Sequence, residues 1–140
     1  MPLFHVNFHT LGRRPVFIQE EYDAVMRGIL ADVLDRGRIH CPAWEVMPTH
    51  MHLIIQDFED YPRDQVMQRI KGATAYGFFK QYPSLREDLL GGHLWAKGYF
   101  WVEIVSYRQY IATMDYIRAN RHNAGLEPPV PLSLRTLPDR

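Results

Sequence analysis

Residues 38–56, "RIHCPAWEVMPTHMHLIIQ", decide how this chain folds. Apolar and β-branched residues crowd both sides of Pro48 and Thr49, so "RIHCPAWEVM" and "THMHLIIQ" read as two strands joined by a tight turn. Side chains two apart on a strand share a face. His50 and His52 therefore project together, while Met51, Leu53 and Ile55 go to the other side.

Working outward, residues 3 to 10 alternate in the same way, with Phe4, Val6 and Phe8 on one side and His5, Asn7 and His9 on the other, which predicts a half-buried strand. "GRRP" breaks it. From Glu20, the positions Tyr22, Val25, Met26, Ile29, Leu30, Val33 and Leu34 follow helical spacing, and Gly37 stands where a C-terminal cap belongs. A second helix starts near Pro62 and runs to Pro83, with Gly72 and Gly77 inside it. "HLWAKGYFWVEIV" reads as one or two strands around Gly98, and Ser106 with Gln109 offers a capping box for a third helix through about Asn120. The tail from Gly125 contains four prolines and no period, so residues 1–124 are expected to form the domain and 125–140 a Pro-rich extension. Hairpin-joined strands separated by long helices imply an α+β fold, an antiparallel sheet with helices mainly on one face, of ferredoxin-like kind.

The 140 residues suffice for one domain with its own core, and 46% hydrophobic with 23% charged residues is the composition of a globular protein. No run approaches a membrane span and the first residues lack the pattern of a signal peptide, so a cytoplasmic protein is expected. Cys41 is the only cysteine, which excludes an internal disulfide and a cysteine-based zinc site. Sixteen basic and sixteen acidic residues cancel, so any polyanion must be held by a local patch.

Two imidazoles side by side on a strand supply two metal ligands from a rigid element, and a third must come from elsewhere. An isolated His-x-His equally describes polar residues on a solvated sheet face. The third helix adds to the pattern. Its apolar stripe is Tyr110, Ile111, Met114 and Ile117; Tyr116 falls off that stripe, with Asn120 one turn later on the same polar face. Half-exposed tyrosines and helix-end asparagines are common, and neither carries a function alone. Together with the histidines they outline phosphodiester cleavage by a tyrosine. The phenol, with a pKa near about 10, must lose its proton as it attacks, and a divalent ion offsets the phosphate charge. Mixed nitrogen and oxygen ligation suits Mn²⁺, and Mg²⁺ less well.

His50-Met51-His52 after "EVMP", the "IKGATA" helix, "YPSL", "GGHLWAKGYF" and "YIRAN" resemble, in that order and over residues 3 to 123, the single-tyrosine HUH transposases of small bacterial insertion sequences. The resemblance implies a compact domain that cuts and rejoins single-stranded DNA at element ends. It makes Tyr116 the nucleophile that forms a 5′-phosphotyrosine link and frees a 3′-hydroxyl. It also implies His50, His52 and Asn120 as ligands of Mg²⁺ or Mn²⁺, hairpin-bearing DNA as partner, and a homodimer. Asn120 departs from the family's usual Gln by one methylene. "YIRANRHNAGL" is also similar to the "YIxxNPVxAGL" segment of relatives associated with repetitive extragenic palindromes, which tend to act as monomers, but Arg121 and His122 replace Pro and Val.

For the DNA itself, Arg13, Arg14, Lys71 and Lys97 are the candidate contacts, with Trp95 and Tyr99 nearby as stacking surfaces. Solvated charges and core aromatics describe the same residues. Two rival readings remain. One is a zinc hydrolase using His50, His52 and His93; the other is a domesticated relative that binds hairpins after cleavage has lapsed.

Overall fold

A computed structural model of the chain describes residues 2–129. Strands β1 (Leu3–His9), β2 (Ala43–Val46), β3 (His50–Gln56) and β4 (Phe100–Ile104) alternate with helices α1 (Glu20–Arg36), α2 (Arg63–Gln81), the short α3 (Pro83–Asp88) and α4 (Tyr107–Asn123). The sheet order is β2-β3-β1-β4 with every neighbouring pair antiparallel. With its first six long elements in the order βαββαβ, this is the expected α+β, ferredoxin-like arrangement.

The alternation in β1 and β3 sorts their residues between two layers. Phe4, Val6, Phe8, Met51, Leu53 and Ile55 face α1 and α2, where they join Met26, Leu30, Ile70 and Phe78 in the main core. Close approach of the two helices depends on Gly77, whose Cβ, if present, would come within 3.1 Å of Ile29 Cγ2. Helix α4 lies on the opposite face. There Met114 and Ile117 form a second, smaller core with Ala43 and Ile54, flanked by Leu3, Ile104 and Tyr110. The helices are thus mainly on one face, as expected, with the last one across the other.

Several boundaries differ locally from expectation. The first hairpin strand begins only at Ala43, and the aromatic stretch after His93 yields one strand, its earlier part meeting Thr10 through an isolated bridge at Trp95. Lys71 fills the resulting loop by donating from Nζ to the carbonyls of Ala96 (2.8 Å) and Gly98 (2.6 Å). Gly37 does cap α1 but with right-handed φ of −78°; Arg38 takes the left-handed turn at φ 51°. Glycine is needed at 37 for space, since a Cβ would sit 2.9 Å from the Val33 carbonyl oxygen. Ser106 caps α4 as expected, its hydroxyl accepting from the Gln109 amide at 3.1 Å. The Gln109 side chain reaches past it to accept from Val105 N and donate to the Glu103 carbonyl. Of the expected Pro-rich extension, residues 130–140 lie outside the described residues.

Candidate active site

Antiparallel pairing sets Asn7 opposite His52 and His9 opposite His50, so the polar faces of β1 and β3 merge into one surface beneath α4. Three histidines on that surface, with Thr49 at one end, form a chain of contacts. His5 Nε2 lies 3.0 Å from His52 Nδ1, His52 Nε2 lies 3.1 Å from His50 Nε2, and His50 Nδ1 lies 3.0 Å from the Thr49 hydroxyl. His52, in the middle, is only 6% exposed. Burial is the main cause that pushes its pKa down to about 3, with His50, His5 and His9 adding to the effect in that order. Burial also lowers His5 and His50, the latter helped by His9 and Arg13. All three rings are therefore neutral near pH 7, the state in which an imidazole nitrogen can ligate.

Helix α4 brings the phenol to this surface. The Met114 and Ile117 anchors turn Tyr116 toward the histidines, its ring 5.5 Å from that of His52 and 6.0 Å from that of His5. Tyr116 keeps 49% exposure, so a substrate can approach. Asn120 is different: at 8% exposure it is buried rather than on an open polar face. Four residues advance a helix by about 400°, which swings position 120 some 40° past Tyr116 and toward the buried side marked by Ile117.

A polar clasp fixes the helix from the far end. Arg121 reaches the Val46 carbonyl (3.4 Å) and Asp23 (3.5 Å). Asp23 also pairs with Arg27 at 3.0 Å, and Arg27 bonds Glu45 and the same Val46 carbonyl. The clasp wraps the β2 edge and joins α4 to α1 of its own chain. Among the described residues, no group of three or more His, Cys, Asp or Glu is arranged to hold a metal.

This geometry can be set beside known proteins. The family model described as "Transposase IS200 like" matches residues 3–120. The chain belongs to the IS200-like transposase family. It is 31% identical over 96 residues to the ISDra2 transposase TnpA of Deinococcus radiodurans, an overlap of 69% of this chain and 68% of that protein. A crystal structure from Deinococcus radiodurans R1, provisionally described as a transposase, superposes with TM-score 0.65 at 27% identity, covering 84% of this chain and 90% of the other. A REP-associated tyrosine transposase bound to a REP hairpin shares the fold, with TM-score 0.65 at 20% identity over 90% of this chain and 70% of the other.

In this member of the IS200-like family the four basic residues proposed from sequence divide into two pairs. Arg13 is exposed in the turn after β1 at φ 55°, and its charge adds to burial in lowering His9, and to burial and His9 in lowering His50. Lys97 is exposed and lines a cavity of about 240 Å³ with His9 and Phe100. These two flank the histidine surface. Arg14 instead donates to the Asp88 carbonyl at 2.8 Å, and Lys71 holds the loop before β4. Trp95 is a core residue whose indole donates to Thr74, and Tyr99 is engaged with Asp64 and Arg63. His93 lies away from the pair, lining a groove of about 570 Å³ along α2 with Lys80 and Arg86. Sequence reasoning missed His5 and Thr49 as neighbours of the pair. His5 was already on the polar side of its strand, but nothing local says that β1 lies beside β3. Among the described residues, no helix is long and apolar enough to cross a membrane.

Proposed function

We propose that this transposase cuts and rejoins single-stranded DNA at element ends through Tyr116. The observation that carries the reading is the convergence, within one chain, of the Tyr116 ring on the paired imidazoles of His50 and His52. In the forward step the phenolic oxygen attacks the scissile phosphorus and the bond from phosphorus to the 3′-oxygen breaks. The phenol loses a proton and the departing 3′-oxygen gains one, leaving a free 3′-hydroxyl and a 5′-phosphotyrosine. A second 3′-hydroxyl reverses the exchange, so no nucleotide cofactor is consumed.

The residues fit a divalent ion, Mn²⁺ or Mg²⁺. The two Nε2 atoms are 3.1 Å apart, and each ring has its other nitrogen engaged, which is how ligating histidines are held. The Asn120 amide oxygen is the proposed third ligand. Such an ion would polarise a non-bridging oxygen and offset the charge developing on the phosphate. Arg13 and Lys97 flank the histidine surface as the first phosphate contacts along the strand, and Arg14 and Lys71 support the loops that present them.

Hairpin-bearing strands are the proposed substrates, by analogy with the hairpin held by the REP-associated relative. A homodimer is the proposed assembly. Its support is the outer strand β4, an unpaired edge on which Phe100 is 61% and Val102 56% exposed, a surface that a second copy would cover.

The test mixes protein, Mn²⁺ or Mg²⁺ and single-stranded oligonucleotides carrying the hairpins that flank the gene, and runs the products on a denaturing gel. A protein-linked band lost in Tyr116→Phe is expected. Hairpin binding with no linked band from any substrate would instead favour a lapsed, binding-only relative. Tightly held zinc with Tyr116 dispensable would favour a hydrolase.

A further inference from the structure

We infer that His5 is a positioning residue of the metal site, acting through His52; this rests on the functional reading above. A hydrogen bond between His5 Nε2 and His52 Nδ1, at 3.0 Å, needs one proton shared by that pair, and the same holds for His52 Nε2 and His50 Nε2, at 3.1 Å. Without a cation, the chain is satisfied when each ring donates to the next, from His5 to His52 to His50 to the Thr49 hydroxyl. For His50 and His52 to ligate one ion, both Nε2 atoms must present lone pairs. The His52 proton then has to sit on Nδ1, and there it needs an acceptor.

His5 is the group placed to accept it. An imidazole can donate from Nε2 in the first arrangement and accept at the same atom in the second, its own proton moving to Nδ1. The number of protons on the three rings stays the same. An apolar residue at position 5 would leave the His52 Nδ1–H unpaired in a site only 6% exposed, which opposes the ligating tautomer. The His5 ring also touches both functional partners, 5.2 Å from the His52 ring and 6.0 Å from that of Tyr116. The three rings form a triangle, with His52 and Tyr116 themselves 5.5 Å apart, so His5 packs beside both the ligand and the nucleophile. Thr49 serves His50 in the same way from the turn that starts β3.

The experiment measures Mn²⁺ affinity by electron paramagnetic resonance, without DNA, for the full chain and for the His5→Ala, His5→Phe, His5→Gln and His52→Ala variants. Circular dichroism checks that each is folded. His5→Ala and His5→Phe are expected to bind Mn²⁺ about 10- to 100-fold more weakly, the usual effect of removing the partner of a ligating histidine. His5→Gln, whose amide oxygen can accept the same proton, is expected to stay within a few-fold of the parent. If His5→Ala does not fold, the contrast between Phe and Gln decides. Parent-like affinity in His5→Phe, with binding lost in His52→Ala, overturns the role of His5 and leaves the metal site standing. Failure of the parent to bind, or undiminished binding in His52→Ala, overturns both.

Discussion

His52 is held between two other imidazoles, and that confinement has a consequence for stability. In the folded chain it takes up a proton only near pH 3, whereas an imidazole in the unfolded chain does so near pH 6.5. Between those values the unfolded state binds more protons, so stability falls as the pH drops through the window and is flat above it. His5 and His50, lowered for the same main reason of burial, act in the same direction. The urea midpoint should therefore be steady above about pH 7 and fall progressively below pH 6.5, with a shallower fall in His52→Gln. A midpoint independent of pH from 7.5 to 5 would contradict this. At this scale the sequence was informative about faces and silent about neighbours. Strand period placed His50 and His52 together, and helix period placed Tyr116 off the apolar stripe. The burial of Asn120 depends on where the axis of α4 lies over the sheet, which no local pattern encodes.

The elements that aim the tyrosine are α4 and the two devices that seat it. Its N-terminus rests on the Ser106 cap, and Ser106→Ala should cost about 1 kcal/mol in urea unfolding. Near its C-terminus, Arg121 shares Asp23 with Arg27 around the edge of β2. The Asp23 side chain is 4% exposed, so Asp23→Ala would leave Arg121 without its carboxylate and Arg27 with Glu45 alone, in a largely dry place. Removing one partner of a buried pair costs about 3–5 kcal/mol, so a large drop in stability is expected, measurable by the same unfolding. A change below 1 kcal/mol would show the clasp to be solvated. Helix positions were legible because caps and 3-4 spacing are local. The clasp was not, because its members come from residues 23, 27, 45 and 121, which only the folded topology brings together.

For the whole molecule, the arrangement of layers makes a statement about catalysis. The tyrosine helix packs on the sheet of its own chain, through the small core of Met114, Ile117, Ala43 and Ile54 and through the clasp. Mixing Tyr116→Phe with His52→Ala is therefore expected to restore no DNA linkage, since neither chain contains a complete site. Restored linkage would show that α4 exchanges between protomers. The exposed β4 edge predicts that Val102→Lys shifts the sedimentation of the protein toward monomer. The α+β class was readable from the order of strands and helices. That α4 crosses the face opposite α1 and α2 was not, because its stripe is apolar whichever face it meets.

The most direct test of the central claim is mass spectrometry of the protein–DNA adduct after nuclease trimming and proteolysis. Nucleotide mass is expected on the peptide containing Tyr116, formed only with a divalent ion and absent when His50 or His52 is replaced by alanine. Nucleotide mass on Tyr107, Tyr110 or any other residue, or the same adduct formed without the histidine pair, would contradict that claim.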